Sequence, residues 1–189
     1  MSEKSRPLRT DARRNRERVL AAAETVLARD GATASMRAVA EAAGVGLGTI
    51  YRHFPTREAL FEGIMVARML ELADQSAELA EAEDAGAAFF DFFTAVVDNA
   101  GRMRAVAEVL THAGIDVKAG TSEAGAALRT ALGTLLERAQ HRGDLRPDLQ
   151  LAEALALLAA MCLAAERRPW EPGPRDRALA VLFDGFRPR

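Results

Sequence analysis

Residues 36–54 read MRAVAEAAGVGLGTIYRHF, and this stretch decides the fold. Met36, Val39, Ala40 and Ala43 recur at the spacing of one helical face, and Ser35 stands where an N-cap belongs. Gly44-Val45-Gly46 interrupts the pattern, and Gly44 is free to take the positive φ that a sharp inter-helix turn demands. A second short helix follows from about Leu47 to His53, with Ile50 and Phe54 placed to meet Val39, Ala40 and Ala43. Because Ala40 and Ala43 are small, the two axes can approach closely. The outward side is left with Gly48, Thr49, Tyr51, Arg52 and His53. A helix this short fits a groove about 12 Å wide, the width of the DNA major groove.

Working outward, the periodicity predicts a first helix from about Asp11 to Asp30, with Val19, Ala22, Ala23, Val26 and Leu27 on one face and Gly31 as its stop. Pro55 reads as the first residue of a fourth helix that nothing interrupts before about Ala80. Further helices are expected at about 84–100, 102–114, 122–142, 148–166 and 174–186, with joints at Gly120, Gly143, Pro147 and the Pro169–Pro174 segment. No strand-like alternation runs for long. The expectation is an all-α chain of about nine helices: a front module over 1–54, and a helical body over 55–189 whose connecting helix runs from Pro55 to about Ala80.

The 189 residues are 49% hydrophobic, enough to bury a core. A single cysteine, Cys162, excludes an internal disulfide and any Cys-rich zinc site. His53, His112, His141 and Cys162 give neither a nucleophile–base spacing nor a metal-ligand set, so no catalytic residue, metal or cofactor is expected. The N-terminus is charged from its third residue and no run reaches about 18 uncharged apolar residues, so a soluble cytoplasmic protein is expected. The net charge of −2 hides an asymmetry: residues 1–60 hold 11 Lys+Arg against 7 Asp+Glu, and the remainder is acidic. A basic front suits a polyanion, although an unevenly charged, solvated surface explains the balance equally well. Lys4, Arg6, Arg9, Arg13, Arg14, Arg16 and Arg18 read either as an arm reaching along DNA or as a solvated tail.

The front module resembles the DNA-binding domain of the tetracycline-repressor (TetR) family. The resemblance rests on Arg18-Val19-Leu20-Ala21-Ala22-Ala23, Gly31, Ser35 to Val45, Gly48 to Phe54 and Arg57-Glu58-Ala59-Leu60, and covers about residues 13–62. Two positions depart from the family pattern: Gly46 replaces the usual Ser or Thr cap of the recognition helix, and Leu47 replaces a frequent basic residue. Glycine caps only slightly worse than serine, and the missing basic residue at 47 puts one phosphate or base contact in doubt and points to a shifted sequence preference. The resemblance implies DNA contacts at Arg37, Gly48, Thr49, Tyr51, Arg52, His53 and Arg57. Within that set, Tyr51 and Arg57 are expected on phosphates, Thr49 and Arg52 at base edges, and His53 packing at the foot of the helix.

By the same resemblance the body dimerises and surrounds a cavity for a small, largely apolar effector, and the chain acts as a homodimeric repressor released from a palindromic operator. The near-continuous apolar run from Leu149 to Ala165 and the last helix suggest a dimer interface of Leu151, Leu155, Leu158, Leu179, Leu182, Phe183 and Phe186. Phe89, Phe92, Phe93, Met103, Leu110, His112, Met161 and Cys162 are the candidate effector lining, with a plain aromatic core as the competing reading. Trp170 is expected to pin its Pro-rich loop to the body. Two alternatives stand beside this one: a DNA-binding dimer without a ligand, and a helical interaction protein that has lost DNA binding.

Overall fold

The computed structural model of the chain describes residues 6–112, 114, 123–167 and 171–188, with backbone alone at residues 6–13, 32 and 172. Trp170 and Gly120 lie outside the described residues. Among the described residues nine α-helices run in order: α1 Arg6–Asp30, α2 Met36–Ala43, α3 Leu47–His53, α4 Arg57–Leu79, α5 Ala85–Arg102, α6 Arg104–His112, α7 Glu123–Arg142, α8 Leu151–Arg167 and α9 Pro172–Phe186. One 3-10 turn, Gly31–Thr33, joins α1 to α2. No helix among the described residues is long and apolar enough to cross a membrane.

Two boundaries differ from expectation. Helix α1 begins at Arg6 rather than Asp11, so Arg6 and Arg9 join Arg13, Arg14, Arg16 and Arg18 in a helix. Helix α4 begins at Arg57 rather than at Pro55, because Thr56 is its cap: the Thr56 hydroxyl accepts from the Ala59 N–H at 3.0 Å.

The chain divides into two compact units, one within Met1–Ala67 plus Ala105–Val117, the other within Arg68–Arg104 plus Lys118–Arg189. The division falls inside α4 rather than at Pro55, and α6 groups with the first unit. In the first unit Val19, Leu20, Ala23, Val26 and Leu27 of α1 are buried, with Phe61 and Ile64 of α4 and Val106 and Leu110 of α6. Gly63 matters here. A Cβ at that position would lie 2.8 Å from Cε1 of Phe54, so only glycine lets α4 lie against that ring.

In the second unit α5 packs against both α7 and α8. Two carboxylates hold its N-terminus: Asp84 accepts from the Ala87 N–H at 2.7 Å, and Asp144 from the Gly86 N–H at 3.0 Å. The Arg138 side chain of α7 donates to the carbonyls of Leu79 and Ala82, closing the C-terminal end of α4. The Arg146 N–H donates to the Phe186 carbonyl at 2.9 Å, and Arg175 of α9 pairs with Asp98 of α5 at 2.6 Å.

Candidate DNA interface

The helix-turn-helix is assembled by a short list of local contacts. The Ser35 hydroxyl accepts from the Ala38 N–H at 3.1 Å, capping α2 as its side chain allows. Gly44 ends α2 at φ 63°, and its N–H together with that of Val45 satisfies the carbonyls left over at the end of α2. Between these ends Met36, Val39, Ala40 and Ala43 are buried, the stripe the sequence predicts. Ile50 is the fully buried side chain of α3, and Phe54 just beyond it is almost as deep. Burying two side chains of this size is worth about 1.5–3 kcal/mol each, enough to hold a helix of seven residues that would not persist alone.

Two arginines of α1 have structural work that their charge did not reveal. The Arg18 guanidinium donates to the Ala43 carbonyl at 2.8 Å, and Arg16 lies over the Phe54 ring at 5.3 Å. A carbonyl at a helix C-terminus carries part of the negative end of the helix dipole, so a cation there is favoured. The signal was present in sequence only as an arginine with no stated partner.

With Ile50 and Phe54 turned inward, α3 presents Gly48, Tyr51 and Arg52 as exposed, Tyr51 at 48%. Leu47, Thr49 and His53 are half-buried, and the His53 ring lies tilted 6.4 Å from that of Phe54. Gly46 caps α3 with no side-chain hydrogen bond, as its composition requires. Arg37 is exposed on α2. Arg57 is half-buried, its guanidinium 5.0 Å above the Phe61 ring, and its buried Nε and Nη2 have no hydrogen-bond partner among the described residues. A desolvated N–H left unpaired costs about 1–3 kcal/mol.

The order of helices, the Gly44 turn and the exposed face of α3 therefore describe a helix-turn-helix corner. Residues 19–64 match the family described as bacterial regulatory proteins, tetR family, and residues 84–188 match that described as transcriptional regulator SbtR-like, C-terminal domain. A TetR transcription regulatory protein from Mycobacterium vanbaalenii is 36% identical, covers 96% of this chain and all of its own, and superposes with a TM-score of 0.75. The chain belongs to the TetR family. It is a helix-turn-helix transcriptional regulator. A TetR regulator of Streptomyces coelicolor is 30% identical over 92% of this chain and 98% of its own, at a TM-score of 0.72. The regulator UidR of Escherichia coli K12 is 26% identical over 161 residues, 80% of this chain and 79% of its own.

For the TetR body, the structure redistributes the residues singled out from sequence. Phe89, Phe92 and Phe93 are fully buried, and their rings interlock with those of α9: Phe89 meets Phe186 at 6.0 Å and Phe93 meets Phe183 at 5.5 Å, both edge to face. At such separations aromatic rings are in contact, so Phe89 and Phe93 pack as core against α9. Met103 is buried in the second unit, whereas Leu110 is buried and His112 exposed on α6 of the first. The His112 Nδ1 lies 2.7 Å from the Glu108 carbonyl. Met161 and Cys162 are half-buried against the α5 core.

Open space lies elsewhere in the second unit. The C-terminal half of α4 and the facing side of α7 enclose a groove of about 400 Å³, lined among others by Ala73, Ser76, Ala77, Ala127, Ala131 and Thr134. Alanine on both walls makes the room, a signal the sequence carried only as composition.

The proposed interface residues are corrected too. Leu158, Leu179 and Phe186 are buried in the subunit's own core, and Leu151, Leu155, Leu182 and Phe183 pack against it. Leu157 is exposed on α8, and the other outward apolar residues are mostly small: Ala152, Ala156, Ala159, Ala160 and Leu163 on α8, and Pro174, Ala178, Val181 and Gly185 on α9. Each set recurs at the spacing of one helical face.

Proposed function

We infer that this TetR-family chain is a homodimeric repressor that binds a palindromic operator through α3 and is released by a small, largely apolar effector. The observation that carries the DNA half is the exposed Gly48, Tyr51 and Arg52 face on a helix whose other side is pinned by Ile50. Tyr51 and Arg57 are the phosphate contacts, the former supported by its exposure on α3. Arg37 adds a cation beside them, while Thr49 and Arg52 address base edges and His53 supports the foot of the helix. Two copies meet through the small-residue faces of α8 and α9, where alanines let helices approach closely and Leu163 and Val181 supply apolar area. An isologous contact of this kind matches the two-fold symmetry of a palindrome. The segment through Phe54 is the DNA-binding domain, and the rest carries dimerisation and effector binding.

The test is binding of the purified protein to promoter DNA beside its own gene, followed across salt concentration. Several neutralised phosphates give a log–log slope of about 0.9 for each. An affinity that is flat in salt would favour the reading in which the chain keeps the fold without DNA binding.

The effector half is carried by the α4/α7 groove, whose volume lies within the range of small-molecule sites. Alanine methyls on both walls suit a small, flat apolar molecule, and Asp74 supplies a carboxylate in the lining. The hydroxyls of Ser76 and Thr134, which donate to the Ala73 and Thr130 carbonyls, can only accept. A thermal-shift screen of apolar compounds tests this, with Ala77→Phe and Ala131→Phe expected to abolish the hits. Hits that survive both substitutions would place the effector elsewhere.

A further inference from the structure

Residues 47, 48, 51 and 52 form one strip of α3, since positions four apart share a helical face. Three of the four are exposed and Leu47 is half-exposed, so the strip carries a branched apolar side chain beside a residue with none. A Cβ on Gly48 would meet nothing within 4 Å. The bare backbone there allows α3 to lie close to whatever the strip faces, which brings the Leu47 side chain within reach of it.

We propose that Leu47 reads the 5-methyl group of a thymine in each operator half-site. This rests on α3 being the DNA-reading helix. In the major groove adenine, guanine and cytosine present only hydrogen-bonding groups, and thymine alone adds an apolar methyl. Leucine has no donor or acceptor, so pressing it on a polar base edge strips that edge of water without replacement. Against the thymine methyl the same contact buries apolar surface on both sides. Leu47 therefore selects by attraction to one base and by desolvation of the other three. Arg52, one turn along the strip, keeps the charge-based contact, so the helix has an apolar reading end and a cationic one.

The experiment uses the full chain and duplexes that it recovers from a random-sequence pool. Each thymine is replaced singly by deoxyuridine, which removes the 5-methyl group and leaves the hydrogen-bonding edge unchanged. One thymine per half-site is expected to matter, with about a fourfold loss of affinity on replacement, the worth of one buried carbon. Leu47→Ala is expected to bind the thymine and deoxyuridine duplexes alike, and the protein-by-DNA cycle isolates the pair. Replacements that are all neutral in the wild type, or a penalty that persists in Leu47→Ala, would overturn the assignment. If Leu47→Ala binds too weakly to measure, Leu47→Met keeps the penalty and Leu47→Gln loses it; equal penalties in those two would overturn it as well. Recovery of no duplex at all would instead overturn the DNA-reading role of α3, and this assignment with it.

Discussion

The Arg18 guanidinium donates a 2.8 Å hydrogen bond to the Ala43 carbonyl, tying α1 to the last turn of α2 at the point where the chain reverses into α3. Gly44, the next residue, holds φ 63°, so this one contact supports the turn that aims the reading helix. Arg18→Met keeps the aliphatic stem and removes the donor. It is expected to cost about 1.5–3 kcal/mol, as loss of a hydrogen bond to a charged group does. A lowered urea midpoint with unchanged slope, and an affinity that falls by one factor for every duplex, are the expected readings. A change confined to one base pair would mean that Arg18 contacts DNA instead.

Gly63→Ala should destabilise the protein although alanine is ordinarily the better helix former by about 0.5–1 kcal/mol. The new methyl would stand 2.8 Å from Cε1 of the buried Phe54 ring, so the ring or α4 must shift to admit it. Overpacking of this kind costs about 1–3 kcal/mol. Denaturant unfolding gives the sign, and an unchanged or raised midpoint would show that the two can separate.

Phe93→Trp distinguishes a packed cluster from a pocket. With Phe93 edge to face on Phe183 and 6.0 Å from Phe186, the larger indole is expected to lower stability by about 1–3 kcal/mol. Thermal unfolding measures it. An unchanged or raised melting temperature would point to unfilled space beside the ring.

Leu163→Glu and Val181→Glu, on the outward faces of α8 and α9, should halve the mass seen by light scattering while helical content stays constant. Leu158→Ala, by contrast, should act inside the subunit, lowering stability by about 2–5 kcal/mol. A wild-type monomer, or glutamate variants that remain dimeric, would remove the interface from these faces.

The helix-turn-helix was legible because its determinants are local. The Ser35 cap, the Met36-to-Ala43 stripe, the Gly44 turn and the inward Ile50 are each set by residues a turn apart, and all four stand where the pattern put them. The body was legible only as helices. Hydrophobicity identifies that Leu158, Leu179 and Phe93 are buried but not against what: the core around α5 takes some large side chains of α8 and α9, while Leu157, Leu163 and Val181 stay outside among alanines. The groove escaped for the same reason, since space is made by absent atoms on two helices some fifty residues apart. Arg18 and Arg16 were hidden by their charge, which drew them to an expected polyanion when Ala43 and Phe54 were their partners.

The most direct test of the central claim, that α3 reads DNA, compares Tyr51→Ala and Arg52→Ala across a set of duplexes carrying every single base substitution in a recovered operator half-site. Tyr51→Ala is expected to weaken all duplexes by one factor, because phosphate contacts carry no sequence information. Arg52→Ala is expected to cost about 1–3 kcal/mol and to flatten the preference at one base pair while leaving the other preferences intact. Identical profiles for the two variants, or wild-type affinity in both, would contradict the account.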